Sequence, residues 1–310
     1  MLRHWAIATG SGLTAAILWL SQNTLSTVGL VLAALAATPL FLATLSGGLG
    51  TGLVATLAGA AFVGLIALQT GGLSTGLMTM VAFVLLVGGP VLVISRQALL
   101  WREVDGVVVW YPLDRLLLWV TATALPMVLV LVIQSNGPDQ LAAVAEQRWV
   151  EIMAEAGMPT PSHEVLVKIA GVLNGVVGAI FAALIAVNAM IAQAILAQSG
   201  RALRPTPAYR TVGVPWWLVA ALGLLSAVGV LSGGLVAFAA LTLATILCLP
   251  VWLVGLAVLH ALGVRTFGVG GPLVVIGVLI SVLVWPALVV VTIGALDGRF
   301  GFRERLAPPS

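Results

Sequence analysis

Long apolar runs alternate with short polar connections along almost the whole chain. Each run is close to or above the roughly 20 residues that a helix needs to cross about 30 Å of hydrocarbon. The nine runs are Trp5–Leu20, Thr27–Leu45, Thr51–Leu68, Leu73–Ile94, Leu113–Ile133, Val165–Leu196, Val212–Leu231, Leu235–Leu262 and Pro272–Leu296. This pattern predicts an all-α, polytopic transmembrane helical bundle of about nine helices, in a single integral membrane domain over residues 1–310. The first run is followed by a polar segment without an Ala-x-Ala site, so we expect an uncleaved helix there.

Glycines mark the connections between several of the runs. Four glycines lie between positions 47 and 52, a pair lies at 71 and 72, and another pair lies at 233 and 234. Irregular backbone has to be short at a membrane, because its N–H and C=O groups need hydrogen-bond partners. We therefore predict tight hairpins of adjacent antiparallel helices at these three places.

One long polar connection, residues 132–164, has a helical pattern of its own. It begins with proline and aspartate after Gly137, and such residues favour a helix start. Apolar residues then recur on one helical face, namely Leu141, Ala145, Trp149, Ile152 and Met153. Arginine and glutamate occupy the opposite face, and Gly157 and Pro159 end the pattern. The segment predicts an amphipathic helix at about 139–156 that lies on the membrane surface or caps the bundle.

The composition agrees with a membrane protein. The chain is 61% hydrophobic and 7% charged, with a mean hydropathy of +1.19, whereas soluble domains carry about 25% charged residues. This excludes a soluble enzyme, a nucleic-acid-binding domain and a disordered regulator. The net charge of +3 agrees with the excess of basic residues that cytoplasmic loops of membrane proteins carry, so it does not indicate nucleic acid as a partner. The lone Cys248 allows no internal disulfide.

The distribution of charge predicts the orientation. If the odd-numbered helices run outward, eight of the 13 basic residues fall on the N-terminal side, and the acidic residues of 132–164 fall on the other. The positive-inside rule then predicts a cytoplasmic N-terminus. Nine crossings place the polar tail, residues 297–310, outside, although it carries three arginines. Eight crossings with one re-entrant segment are the alternative, and the run at Leu235–Leu262 or the first helix are the candidates for that segment.

Residues that could take part in proton transfer, catalysis or metal binding are scarce. No charged residue lies in the middle third of any predicted helix, where proton relays and ion-coupled pumps usually have one. The chain lacks a phosphate-binding G-x-x-x-x-G-K-[ST] loop, and its histidines and cysteine have no metal-ligand spacing. Gly72-Leu73-Ser74-Thr75-Gly76 matches a nucleophile elbow, but it joins two membrane helices instead of a strand and a helix. We therefore expect no catalytic residue, no metal and no cofactor, and a protein that is not an enzyme.

The sixth run carries the most informative polar residues. Gly171, Gly175 and Gly178 form a small-residue stripe that lets another helix approach closely. Asn174 and Asn188 lie fourteen residues apart, so a helix places them within about 40° of each other. One interpretation is packing, with the asparagines forming hydrogen bonds between helices. The other is that Asn174 and Asn188 line a polar cavity that binds a neutral ligand.

Aromatic residues begin two of the runs. Trp110, Tyr111 and Pro112 precede the fifth, and Trp216 and Trp217 lie near the start of the seventh. Tryptophan and tyrosine suit the headgroup zone, so these residues predict interface anchors in the lipid bilayer. A docking site for a cytoplasmic partner is the alternative for the first group.

The order of these features resembles the YybS-like family of bacterial membrane proteins (domain of unknown function 2232). The resemblance rests on five pieces that span nearly the whole chain: Thr38–Leu42, Trp110–Pro112, Arg204-Pro205 before Pro215–Trp217, Leu256–Leu262 and Trp285–Ala287. The family is distantly similar to the substrate-binding membrane subunits of energy-coupling-factor vitamin transporters. The resemblance implies a compact helical bundle of the bacterial inner membrane, with a ligand pocket that opens outward and with energy supplied by other chains.

Two functional hypotheses follow. The first is a transport-related integral membrane protein that binds a small, neutral solute and depends on other membrane or cytoplasmic subunits for energy. The second is a structural or regulatory scaffold without a small-molecule ligand. A ligand-sized, polar-lined cavity that opens outward favours the first hypothesis, and a solidly packed bundle favours the second.

Overall fold

The chain folds into helices, as a computed structural model of residues 2–153, 159–207, 212–269, 271–280 and 284–306 shows. It is 84% helical, which confirms the predicted all-α bundle. The helices in the described residues are α1 (Leu2–Leu20), α2 (Thr27–Ala34), α3 (Ala37–Phe83), α4 (Gly89–Ala98), α5 (Leu113–Ala122), α6 (Ala124–Gln134), α7 (Pro138–Met153), α8 (His163–Gln198), α9 (Trp216–Leu231), α10 (Gly234–Phe267), α11 (Gly271–Ile280), α12 (Val284–Phe300) and α13 (Phe302–Leu306). A short antiparallel hairpin, β1 (Trp101–Val104) and β2 (Val107–Trp110), joins α4 to α5.

The predicted apolar runs are mostly helical where they are described, but residues 212–215 are not helical and several runs are broken. Among the described residues, four stretches are long and apolar enough to cross a membrane: Thr27–Ala98, Leu113–Gln134, His163–Gln198 and Gly234–Phe267. The first has 72 residues and would be about 110 Å long as one straight helix. It therefore has to fold back on itself.

Two glycines make these reversals. Gly48 (φ 80°, ψ 177°) and Gly72 (φ 76°, ψ −174°) interrupt α3 with a backbone conformation that only glycine adopts readily. The hairpin after Gly72 is tight, because a Cβ on Gly76 would lie 3.0 Å from the carbonyl oxygen of Gly64. At the third predicted joint, Gly233 precedes α10 in an extended conformation and Gly234 has a φ of 55°. The three predicted glycine hairpins are thus present.

The chain divides into two compact units, Met1–Pro126 with Phe181–Pro207 (unit 1) and Met127–Ile180 with Ala208–Ser310 (unit 2). In unit 1, α1 packs directly on α3, and a Cβ on Gly12 would overlap the carbonyl oxygen of Ala55. Phe83 is fully buried there and meets Trp19 edge to face at 5.8 Å. The assignment of the whole chain to one membrane domain stays a prediction.

In unit 2 the predicted amphipathic helix is α7. Its residues Leu141, Ala145 and Trp149 are half-buried, and Ala142 is fully buried. Ala142 belongs to an apolar cluster with residues of α8 and with Phe238 of α10. The helix therefore caps a packed helix pair, which is one of the two predicted positions. Its predicted end at Gly157 lies outside the described residues, as do the side chains of Ile152 and Met153.

Candidate functional site

The small-residue stripe of α8 lies against α10 in unit 2. A Cβ on Gly171 would lie 2.7 Å from the carbonyl oxygen of Phe238, and one on Gly175 would lie 2.6 Å from that of Thr242. The Thr242 hydroxyl also donates a hydrogen bond of 2.9 Å to the Gly171 carbonyl. Gly178 is buried on the same face. This geometry is what close helix packing requires of small residues.

Asn174 lies on this same buried face but is not hydrogen-bonded. Its side chain is 5% exposed, and neither amide atom has a partner among the described residues. An amide without partners in an apolar interior destabilises the fold by about 1–3 kcal/mol. Asn174 is therefore the polar group of α8 whose presence packing within the described chain does not explain.

Asn188 has the opposite environment, in unit 1. It is 1% exposed, and its amide nitrogen donates to the carbonyl oxygens of Ala34 and Leu184, each at 2.7 Å. Its amide oxygen accepts a hydrogen bond of 2.6 Å from the Thr38 hydroxyl. Both N–H donors are used within the chain, so Asn188 ties α8 to the start of α3 as the packing interpretation describes. The two asparagines belong to different units, and the ligand-binding interpretation of the pair stays a prediction.

The residues predicted as interface anchors have structural contacts of their own. Pro112 is the N-cap residue of α5, and the Tyr111 hydroxyl accepts a hydrogen bond of 3.2 Å from the indole nitrogen of Trp119. Trp216 and Trp217 begin α9 and are 80% and 50% exposed. Exposed indoles at a helix end suit an interface, and their role as anchors in lipid stays a prediction.

A buried arginine organises the loop end of unit 1. Arg204 is 8% exposed, and its guanidinium donates to the carbonyl oxygens of Ala98 at 3.0 Å and Tyr111 at 2.9 Å. Its guanidinium carbon lies 5.9 Å from the ring centre of Trp110, within the range of a cation–π contact. In turn, the Gln193 side chain donates 2.8 Å to the Arg204 carbonyl. The end of α4, the residue after the β-hairpin and α8 are therefore held together at one residue, Arg204.

The charge of Arg204 is balanced by dipoles. Ala98 is the last residue of α4, and its carbonyl carries part of the negative end of the helix dipole. No carboxylate of the described residues forms an ion pair with Arg204. Burial lowers the pKa of Arg204, but a guanidinium stays protonated at any physiological pH. The site therefore keeps a full positive charge.

A groove opens beside this arginine. It has a volume of about 530 Å³ and is lined by Val108 and Trp110 of β2, by Ala197 near the end of α8, and by the segment from Gly200 to Thr206 that carries Arg204. Ligand sites usually measure about 300–1,000 Å³ and combine apolar walls with a few directed polar groups. The groove is within this size range, and Trp110, Arg204 and Thr206 are among its lining residues.

The sequence interpretation did not identify this groove, because it placed no strands between the fourth and fifth runs. The available signal was Asp105-Gly106, a dipeptide typical of two-residue hairpin turns. Both residues have a positive φ, 52° and 78°, as the turn requires. Cross-strand pairing then places Trp110 opposite Trp101 and Val108 opposite Glu103.

The other sequence features considered for chemistry are the G-x-S-x-G match and the possible metal ligands. Gly72-Leu73-Ser74-Thr75-Gly76 lies at a helix reversal, and the Thr75 hydroxyl donates to the Gly71 carbonyl at 2.8 Å. Within the described ranges, no group of three His, Cys, Asp or Glu side chains could hold a metal ion.

Comparison with protein-family models, curated proteins and solved structures finds no match to this chain. The resemblance to the YybS-like family therefore stays a prediction.

Proposed function

We propose that the protein is a transport-related integral membrane protein that binds a small solute in the groove at Arg204 and relies on other chains for energy. The observation that carries this proposal is the groove itself, a ligand-sized space with a buried cation and an indole in its lining. The Arg204 guanidinium is held in place by two hydrogen bonds before any ligand arrives, so ordering it costs binding little entropy.

The proposal includes a location and an orientation. The apolar helices support a multi-pass protein of the bacterial inner membrane, and the arginine excess of the loops supports a cytoplasmic N-terminus. The groove then lies on the cytoplasmic side, and not on the outer side where the resemblance implies a pocket. A partner subunit that hydrolyses nucleotide would act on the same cytoplasmic side. The chain has no G-x-x-x-x-G-K-[ST] phosphate-binding loop of its own, which supports dependence on such a subunit.

The ligand is proposed to carry at least one polar or anionic group. The sequence favoured a neutral solute, because the asparagines of α8 were the candidates for binding it. Arg204 is a positively charged donor, and Thr206 adds a hydroxyl. An apolar part of the ligand would contact Trp110 and Val108, whose side chains form one wall.

The test is purification in a mild detergent followed by native mass spectrometry of the small molecules and proteins that remain bound. Ala197→Trp fills the groove, because Ala197 is an exposed lining residue. Gln198→Trp is the matched control, since Gln198 is the next exposed residue of α8 and is not part of the lining. We expect a retained small molecule in the wild type and the control, and its loss in Ala197→Trp at equal thermal stability. Equal retention in all three proteins would rule out the groove.

A structural or regulatory scaffold is the second candidate function. The observation that favours it is the close helix packing in unit 1, where Asn188 uses both donors within the chain and Gly12 allows backbone contact between helices. A scaffold would retain a partner protein but no small molecule, and Ala197→Trp would leave that partner bound. The same native mass spectra distinguish the two functions.

A further inference from the structure

The β-hairpin of unit 1 has two different faces. Residues that pair across two strands point to the same side, and successive residues of one strand point to opposite sides. The pairs Trp101–Trp110 and Glu103–Val108 therefore share one face, and its Val108 and Trp110 line the groove. The opposite face, here called the valine face, consists of Arg102, Val104, Val107 and Val109. The hairpin thus turns one face to the groove and the valine face away from it.

The valine face is apolar and exposed. Val104, Val107 and Val109 are all exposed, Val107 the most at 63%, and Arg102 beside them is exposed as well. A two-stranded hairpin by itself is only marginally stable in water, and apolar side chains gain free energy when they leave water. The valine face therefore favours a partner that covers its apolar side chains.

The position of the hairpin in the chain indicates which partner is near. It follows α4, which ends the apolar stretch Thr27–Ala98, and it precedes α5, which begins the stretch Leu113–Gln134. Arg96 in the last turn of α4 and Arg115 near the start of α5 are exposed, as arginines at the headgroup level of a membrane are. A hairpin between two such helix ends emerges at the surface of the bilayer.

We propose that the valine face lies on the anionic headgroup region of the bilayer, with its valines in the interface and Arg102 on a lipid phosphate. Amphipathic segments at an interface bury their apolar face about 5–10 Å into the boundary between headgroups and acyl chains. A guanidinium binds phosphate oxygens with paired donors. This inference goes beyond the ligand proposed at Arg204 and rests on the proposed membrane location.

The distribution of charge on the hairpin selects the valine face for an anionic surface. Arg102 is its one charged residue, whereas Glu103 lies on the groove face and Asp105 lies in the turn. No carboxylate of the described residues forms an ion pair with Arg102. The exposed arginines elsewhere at this end of unit 1 are Arg96, Arg115 and Arg201, with Asp114 as the acid near them. Basic residues near an anionic leaflet are attracted to it, so these charges add to the binding.

Fluorescence quenching tests the position of the valine face, with the purified full chain in vesicles of phosphatidylglycerol and phosphatidylcholine. Val107→Cys and Val108→Cys, each on a Cys248→Ser background, place an environment-sensitive fluorophore on the two faces at adjacent exposed positions. One quencher is a lipid with a nitroxide at the top of its acyl chain, and the other is iodide on both sides of the membrane. We expect the ratio of nitroxide quenching to iodide quenching to be several-fold higher at 107. An equal or lower ratio at 107 would overturn the inference and leave the valine face as a water-facing surface for a protein partner.

Leu57→Cys distinguishes failure of this inference from failure of the membrane location. Leu57 lies in α3 and is 57% exposed, within an apolar run that is proposed to cross the bilayer. A fluorophore there should be quenched by a lipid with a nitroxide deep in its acyl chain, whatever the hairpin does. Quenching at 57 without quenching at 107 would refute the valine face alone, and quenching at neither position would refute the membrane location as well.

Arg102→Gln tests the anionic character of the partner. In phosphatidylglycerol vesicles it should lower the ratio of lipid-bound to water-exposed hairpin about fivefold, as read from the emission of the fluorophore at 107. In pure phosphatidylcholine vesicles the substitution should have little effect. Glu103→Gln is the matched control, because Glu103 is the next residue and lies on the opposite face. An equal loss in Glu103→Gln, or the same loss in both lipids, would contradict the anionic surface.

Discussion

The two asparagines of α8 should respond in opposite ways to the same substitution. Leucine has the same number and branching of heavy side-chain atoms as asparagine, with bulkier methyl groups, but can neither donate nor accept a hydrogen bond. Asn188→Leu removes the hydrogen bonds to Ala34 and Thr38 that join α8 to neighbouring helical segments. Asn174→Leu removes no hydrogen bond to the described chain. Comparing the two substitutions therefore separates the stability that a buried hydrogen bond contributes from the stability that is lost by burying an amide without partners.

The magnitudes follow from the contacts. Hydrogen bonds between helices in a membrane protein average about 0.6 kcal/mol, so two of them contribute about 1.2 kcal/mol. Asn188→Leu also leaves the Thr38 hydroxyl and the Ala34 carbonyl without this partner, which raises the expected loss to about 1–3 kcal/mol. For Asn174→Leu the free energy of unfolding should stay unchanged or rise by up to about 2 kcal/mol, because an unsatisfied amide is replaced by an apolar side chain.

The assay is reversible unfolding of the purified protein in mixed micelles, followed by tryptophan fluorescence and repeated by circular dichroism. Val187→Leu is the control, because Val187 is 43% exposed and adjoins Asn188 on α8. A loss of stability in Asn174→Leu as large as in Asn188→Leu would refute the reasoning. It would mean that a bound water or ligand occupies the Asn174 amide, as the ligand-binding interpretation holds. Unchanged stability in Asn188→Leu would refute the packing role of Asn188.

Two further pairs of substitutions test the glycines. Gly48→Ala should lower the free energy of unfolding by about 1–3 kcal/mol, because the φ of 80° there is accessible almost only to glycine. Gly50 also has open space around it but lies in helical backbone, so Gly50→Ala should raise the free energy of unfolding by up to about 1 kcal/mol. Gly171→Ala should lower it by about 1–3 kcal/mol, because the new methyl group would lie 2.7 Å from the carbonyl oxygen of Phe238. Gly223→Ala, with open space in α9, is its control and should lose nothing. Chemical denaturation in micelles measures all four, and equal effects within either pair would contradict the assignment.

The sequence predicted the helical architecture because the bilayer imposes a local rule. A run of about 20 apolar residues is helical whatever it packs against, since its backbone has no other way to satisfy its hydrogen bonds. The glycine joints were predictable for a similar reason, because a reversal such as the one at Gly48 needs a backbone conformation that other residues avoid. The amphipathic pattern of α7 is also local, with a period that a single helix determines.

The candidate site could be predicted only in part. The stripe at Gly171 and Gly175 follows from spacing on one helix, but spacing does not say which of two asparagines finds partners. Asn188 and Asn174 are the same residue on one helix, and their environments differ because α3 supplies Thr38 near one of them. The groove at Arg204 was missed because its lining comes from segments almost one hundred residues apart.

Local rules determine the secondary structure of a segment, and tertiary contacts determine which residues its side chains bind. From the sequence alone followed the apolar character typical of a membrane protein, the nine apolar runs and the glycine hairpins; the excess of arginine on one side stays a prediction. The tertiary structure alone decided which asparagine is satisfied and that a buried arginine holds the loop end of unit 1. The physical reason is that hydropathy and backbone preference act within a few residues of the chain, whereas hydrogen bonds such as that between Arg204 and Ala98 depend on distances that only folding sets.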